Sequence, residues 1–96
     1  MYVLITYDVS TLTKEGRRRL RRVARVCENF GQRVQLSVFE CHLGETDWVR
    51  MKHELLEEMN PHEDSLRFYF LGEDPTRRVE HFGQRPSIDF DEALIV

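Results

Sequence analysis

The chain has 96 residues, 41% of them apolar and 32% charged, with a formal net charge of −3. That is enough for one domain with a modest core and too little for two, and the balance is not that of a disordered chain. No apolar run nears the ~20 residues of a membrane span, and the N-terminus lacks the basic segment and small-residue cleavage site of a secretory signal, so cytoplasmic residence is expected.

Tyr2 to Ile5 is an almost unbroken apolar and β-branched run, which reads as a buried strand ending on the carboxylate of Asp8. The loop Val9-Ser10-Thr11-Leu12-Thr13 follows, and Thr13 or Thr11 can cap a helix from about Lys14 to Phe30. Leu20, Val23, Ala24, Cys27 and Phe30 recur at helical spacing and form its buried stripe. Arg18, Arg22 and Arg25 lie on the opposite face, with Arg17, Arg19 and Arg21 flanking the stripe. Gly31 stands where a left-handed C-cap residue belongs.

Val34, Leu36 and Val38 then alternate with polar residues, after which Phe39, Cys41 and Leu43 continue on the other parity. Such a change of parity predicts a bulge or a tight hairpin near Leu36-Ser37. Gly44 breaks the run, and Thr46 can cap a second helix over about 47–59, with the stripe Trp48, Met51, Leu55, Leu56 and Met59 and a stop at Asn60-Pro61. Glu57, Glu58, Glu63 and Asp64 read as a solvated acidic face. Ser65 to Leu71 is a strand, with Leu66, Phe68 and Phe70 on one face and Arg67, Tyr69 and Leu71 on the other. A turn at Gly72-Glu73-Asp74-Pro75 leads to a short strand, Val79 to Phe82, closed by Gly83. In the tail, Ile88 and Phe90 alternate with aspartates and the last four residues are apolar, which predicts that 84–96 docks on a partner chain.

This order of elements is the split-βαβ, ferredoxin-like pattern. It predicts an α+β fold in a single domain, residues 1–96 with a core of about 1–83. One antiparallel sheet carries two helices on one face. Its other face is open unless something packs there, and a two-fold homodimer meeting sheet to sheet covers it.

The charge is divided along the chain. Residues 1–43 carry eight Lys/Arg against four Asp/Glu, and residues 44–96 carry six against thirteen, so a polyanion meets the first half. Six arginines against one lysine in the first helix point to phosphate, whose oxygens suit the planar guanidinium; the plainer alternative is a solubilised helix. Cys27 and Cys41 read as reduced, small core residues, and the four histidines show no metal-ligand spacing. One Asp8 is too little for a Mg²⁺ site, which takes one or two carboxylates besides waters and phosphate oxygens. Across a two-fold axis two copies of Asp8 can hold one ion, able to polarise a phosphodiester and activate water; otherwise Asp8 simply starts the loop. Ser10 can ligand the metal through water or start the turn. Tyr7 can reach a phosphate or fill the sheet, and Arg33 leads the second strand, where an isolated arginine usually faces solvent. No GxGxxG, Walker, HExxH or nucleophile-elbow motif is present.

YDVS at 7–10, the arginine-rich helix, GQRVQLSVFEC at 31–41, VEHFG at 79–83 and PSID at 86–89 resemble the CRISPR-associated protein 2 family over nearly the whole chain. The resemblance implies a ferredoxin-like homodimer whose last strand crosses to the partner's sheet, and a metal site shared by two copies of Asp8. It implies a Mg²⁺-dependent endonuclease acting on single-stranded RNA or double-stranded DNA, with a role in acquiring CRISPR spacers beside the CRISPR-associated integrase. It also implies that Arg19, Arg22, Arg33 and Phe39 handle nucleic acid; the residues themselves add Tyr7, Ser10 and Arg18 as candidates. A non-catalytic dimeric adaptor that grips duplex DNA and bridges integrase subunits is the competing reading, and a toxin-like ribonuclease of the same fold is a third.

Overall fold

The computed structural model describes residues 1–84, so the expected docking of the tail lies, from residue 85 on, outside the described residues. Along the chain come β1 (Tyr2–Asp8), α1 (Lys14–Phe30), β2 (Gln32–Gln35), β3 (Val38–His42), α2 (Glu45–Glu58), β4 (Ser65–Leu71) and a 3₁₀ turn at Pro75–Arg77. The strands lie in the order β2-β3-β1-β4, each antiparallel to its neighbour. This is the expected ferredoxin-like α+β arrangement.

Strand periodicity sorts the side chains. Val3, Ile5 and Tyr7 of β1 are buried, as are Phe39 and Cys41 of β3, and with Val23, Val26 and Cys27 of α1 and Met51 and Leu55 of α2 they make the core. The intervening positions Tyr2, Leu4 and Thr6 face the side of the sheet that is uncovered among the described residues, and the exposed Asp8 ends that row. Trp48 extends the core towards the β4 edge, meeting Phe68 and Phe70 edge-on at 4.9 and 5.1 Å. Burial pushes the Cys27 thiol up to about 12 and the Cys41 thiol to about 11, so both stay protonated, unreactive core groups.

The hairpin turns at Leu36-Ser37, and a register shift between Arg33 and Gln35 accounts for the change of parity. Four local expectations are corrected. Gly31 is extended, with φ −154°, and not left-handed; glycine is required because a Cβ there would lie 2.3 Å from the Cys41 sulfur. The N-cap of α2 is Gly44, which has no side-chain cap bond, and Thr46 lies inside the helix. Leu56, counted in the α2 stripe, is half exposed. Residues 79–82 form no strand, because among the described residues no free sheet edge pairs with them, and Val79 and Phe82 stay exposed.

Candidate functional site

Asp8 is the last residue of β1, opposite Ser65 of β4, at the rim of the uncovered sheet face. Its carboxylate is exposed, and among the described residues no cation pairs with it. Val9 then turns into the core at 7% exposure, which fixes the chain on either side of the acid.

The loop beyond Asp8 is tied down residue by residue. The Ser10 amide donates to Asp64 Oδ1 at 3.1 Å, and Arg17 Nη1 donates to the Thr11 carbonyl at 3.2 Å. Thr13 Oγ1 accepts from the Gly16 amide at 3.0 Å, so of the two candidate caps Thr13 is the one used. Gly16 passes so close to the Ser10 carbonyl that a Cβ would lie 1.9 Å from its oxygen.

Asp64 is the residue that the sequence reading missed. Taken there as part of a solvated face, its side chain is fully buried. It accepts from Arg19 Nε at 2.8 Å, Arg19 Nη2 at 3.2 Å, the Asn60 amide at 2.8 Å and the Ser10 amide. Burial opposes its ionisation, but the Arg19 guanidinium and the two amides outweigh that and hold the carboxyl below its ordinary 3.8. A depressed folded-state value gives stability that is complete above the unfolded value and lost as pH falls through the folded one. Wild type is therefore expected to lose more stability than Asp64→Asn between about pH 5 and about pH 3, read from urea midpoints at each pH. An equal loss in both proteins contradicts an ionised carboxylate at this position.

The other candidates divide into two groups. Of the two readings of Tyr7, phosphate contact or sheet residue, the structure has the second: Tyr7 and Phe39, the latter linked to nucleic acid by the resemblance alone, lie in the core, 6% and 0% exposed, because they share the helix-covered face with Ile5. The Tyr7 hydroxyl donates to the Leu36 carbonyl at 3.3 Å, and burial raises its pKa, so it stays neutral. Phe39 supports Arg33, whose guanidinium carbon lies 5.0 Å from the ring centroid and which pairs with Glu28 at 3.5 Å. Arg33 is thus partly buried, not solvent-facing, and its buried Nε lacks a partner among the described residues.

The remaining arginines belong to α1. Arg18 and Arg22 are exposed and make only long pairs, 3.8 Å to Glu15 and 3.8 Å to Glu58, contacts weak enough to be exchanged for phosphate. Arg19, by contrast, is held by Asp64 and by Glu63 at 3.1 Å. Because α1 covers the face opposite Asp8, one chain does not gather acid and cations into one pocket. Among the described residues no three His, Cys, Asp or Glu side chains converge as a metal site, and the carboxylate that ends β1 is that of Asp8. No helix of the described residues is long and apolar enough to cross a membrane.

Fold and site together define a small ferredoxin-like protein with an exposed acid at the end of its first strand and a cationic helix behind the sheet. The family description "CRISPR associated protein Cas2" matches residues 1–79, and the chain belongs to that family. It is 55% identical over 96 residues, the full length of both chains, to the CRISPR-associated endoribonuclease Cas2 of Chlorobaculum tepidum. It is 50% identical over 95 residues to the CRISPR-associated endonuclease Cas2 of Halalkalibacterium halodurans, covering 99% of each chain. Among solved structures it resembles Streptococcus pyogenes Cas2 at pH 6.5, with a TM-score of 0.79 and 52% identity over 86% of this chain and all of that one.

Proposed function

We propose that this protein is an endonuclease of a CRISPR system that hydrolyses phosphodiester bonds in single-stranded RNA or double-stranded DNA, with Mg²⁺ as cofactor. It works in the cytoplasm as a homodimer, in spacer acquisition and antiviral defence beside the CRISPR-associated integrase. The observation that carries this reading is the exposed Asp8, without a cationic partner among the described residues, on the sheet face that no described helix covers. A copy packed on that face brings a second Asp8, and two carboxylates with waters and phosphate oxygens suit Mg²⁺. When bound, the ion supplies Lewis-acid polarisation of the phosphodiester and a more acidic water. The chain's own part is to aim the carboxylates and to hold phosphates through Arg18 and Arg22, which read no sequence. The names of the relatives, endoribonuclease and endonuclease, support nuclease chemistry of this class. The test is a Mg²⁺ titration of cleavage on RNA and on duplex DNA, with the oligomeric state measured by sedimentation; a monomer under assay conditions removes the shared centre.

The competing reading, a non-catalytic dimeric adaptor that holds duplex DNA for the integrase, draws on the same scarcity of carboxylates within one chain. Both readings give α1 a role in binding. Affinity for duplex DNA is therefore expected to fall steeply with salt, and Arg18→Gln with Arg22→Gln to reduce the log–log slope by about two for each subunit whose α1 meets the duplex. Binding isotherms from about 50 to about 200 mM salt check this; an unchanged slope takes α1 out of the interface.

A further inference from the structure

Ser10, two residues beyond Asp8, is gripped from both sides. Its amide is taken by Asp64, and its carbonyl lies against the bare Cα of Gly16. Asp64 directly precedes Ser65, the residue opposite Asp8. The carboxylate that holds the loop is therefore anchored one residue from Asp8's partner in the sheet. Its other contacts are with Arg19 of α1 and the Asn60 amide after α2, so three separate segments converge on one buried group.

A buried ion pair is an expensive way to hold two helices together. Desolvation consumes much of its attraction, and apolar side chains would serve as well. What apolar packing cannot supply is direction. Four N–H donors on one carboxylate fix where the Ser10 amide points, and hence how the chain leaves β1. A carboxylate meant to share an ion across a two-fold axis needs that control, because misplacement by about an ångström spoils a metal or catalytic site.

We propose that Asp64 and Arg19 are positioning residues for Asp8, a clamp that aims its carboxylate over the uncovered face; the proposal rests on the reading of Asp8 as the metal-binding acid. It also reassigns Arg19. A side chain only 12% exposed, its guanidinium taken by Asp64 and Glu63, steers the loop and does not hold phosphate.

The test uses the full chain with Asp64→Asn, Arg19→Gln and the double variant, with Asp8→Ala as reference. The double variant leaves a neutral amide pair in place of the ion pair, and it carries the test if a single variant fails to fold. Mn²⁺ affinity of the protein alone is measured by water-proton relaxation, beside the Mg²⁺ dependence of RNA cleavage and the salt slope of duplex binding. Loss of the clamp is expected to weaken Mn²⁺ binding roughly tenfold in each variant, as loss of support around a ligand does. The double variant is no worse than either single one, and the salt slope is unchanged. Wild-type Mn²⁺ affinity in all three variants, with Asp8→Ala binding none, overturns the clamp alone. A salt slope about one lower in Arg19→Gln but not in Asp64→Asn makes Arg19 a phosphate contact and overturns its reassignment. A wild-type protein that binds no Mn²⁺ overturns the reading of Asp8, and the clamp's purpose with it.

Discussion

Asp8→Ala is expected to lower Mg²⁺-dependent cleavage about a thousandfold, some ~4 kcal/mol of barrier, while affinity for duplex DNA stays within about twofold. The loss is large because a two-fold dimer gives up both carboxylates with one substitution. Affinity survives because the exposed arginines lie on α1, behind the sheet from Asp8. Mixing wild-type and variant chains sharpens the test. With free exchange at equal amounts, about a quarter of the dimers keep two wild-type chains, so activity falls to about a quarter if the site is shared and to about half if each chain works alone. Cleavage that survives in Asp8→Ala leaves the acid a loop-starting residue and favours the adaptor reading.

Much of the fold was legible because most of its elements declare their period. β4 alternates in faces, α1 repeats Leu20, Val23 and Cys27, and the parity change at Leu36-Ser37 falls at the observed turn, whereas the unbroken apolar run of β1 reads as buried throughout and is buried only at Val3, Ile5 and Tyr7. The caps and breakers were less legible. Gly31 and Gly44 both read as punctuation, yet one is a point of close approach and the other is itself an N-cap.

The site was legible at Asp8, where an apolar strand runs into an acid, and illegible at Asp64, which stands in an acidic run that looks solvated. One signal was available. Arg19 borders Leu20 and Val23, at the margin of the buried stripe, and a guanidinium there needs an acidic partner from another element. The choice between the two readings of Tyr7, and the burial of Phe39, were not legible because a strand's period says which residues share a face, not which face the helices cover.

The last prediction concerns Gly16. At the third position of a helix, propensity alone says that Gly16→Ala should stabilise by up to about 1 kcal/mol. The structure says the opposite. The new Cβ would meet the Ser10 carbonyl oxygen at 1.9 Å, and that oxygen is backbone, held in place by the Asp64 bond to the same residue's amide. Either the first turn of α1 or the loop after Asp8 must shift, at an overpacking cost of about 1–3 kcal/mol. The net expectation is a loss of about 2 kcal/mol, or about 10 °C in Tm for a domain of this size. Gly72→Ala is the control, since a Cβ there meets nothing within 4 Å, and its stability is expected to stay within about 0.5 kcal/mol of wild type. Because the displaced loop begins at Asp8, the Gly16 variant is also expected to need more Mg²⁺ for half-maximal cleavage. Thermal melts at fixed protein concentration, with the same Mg²⁺ titration, read both effects. A Gly16→Ala protein that melts higher than wild type means that the loop yields freely, and a loop that yields cannot be what aims the acid.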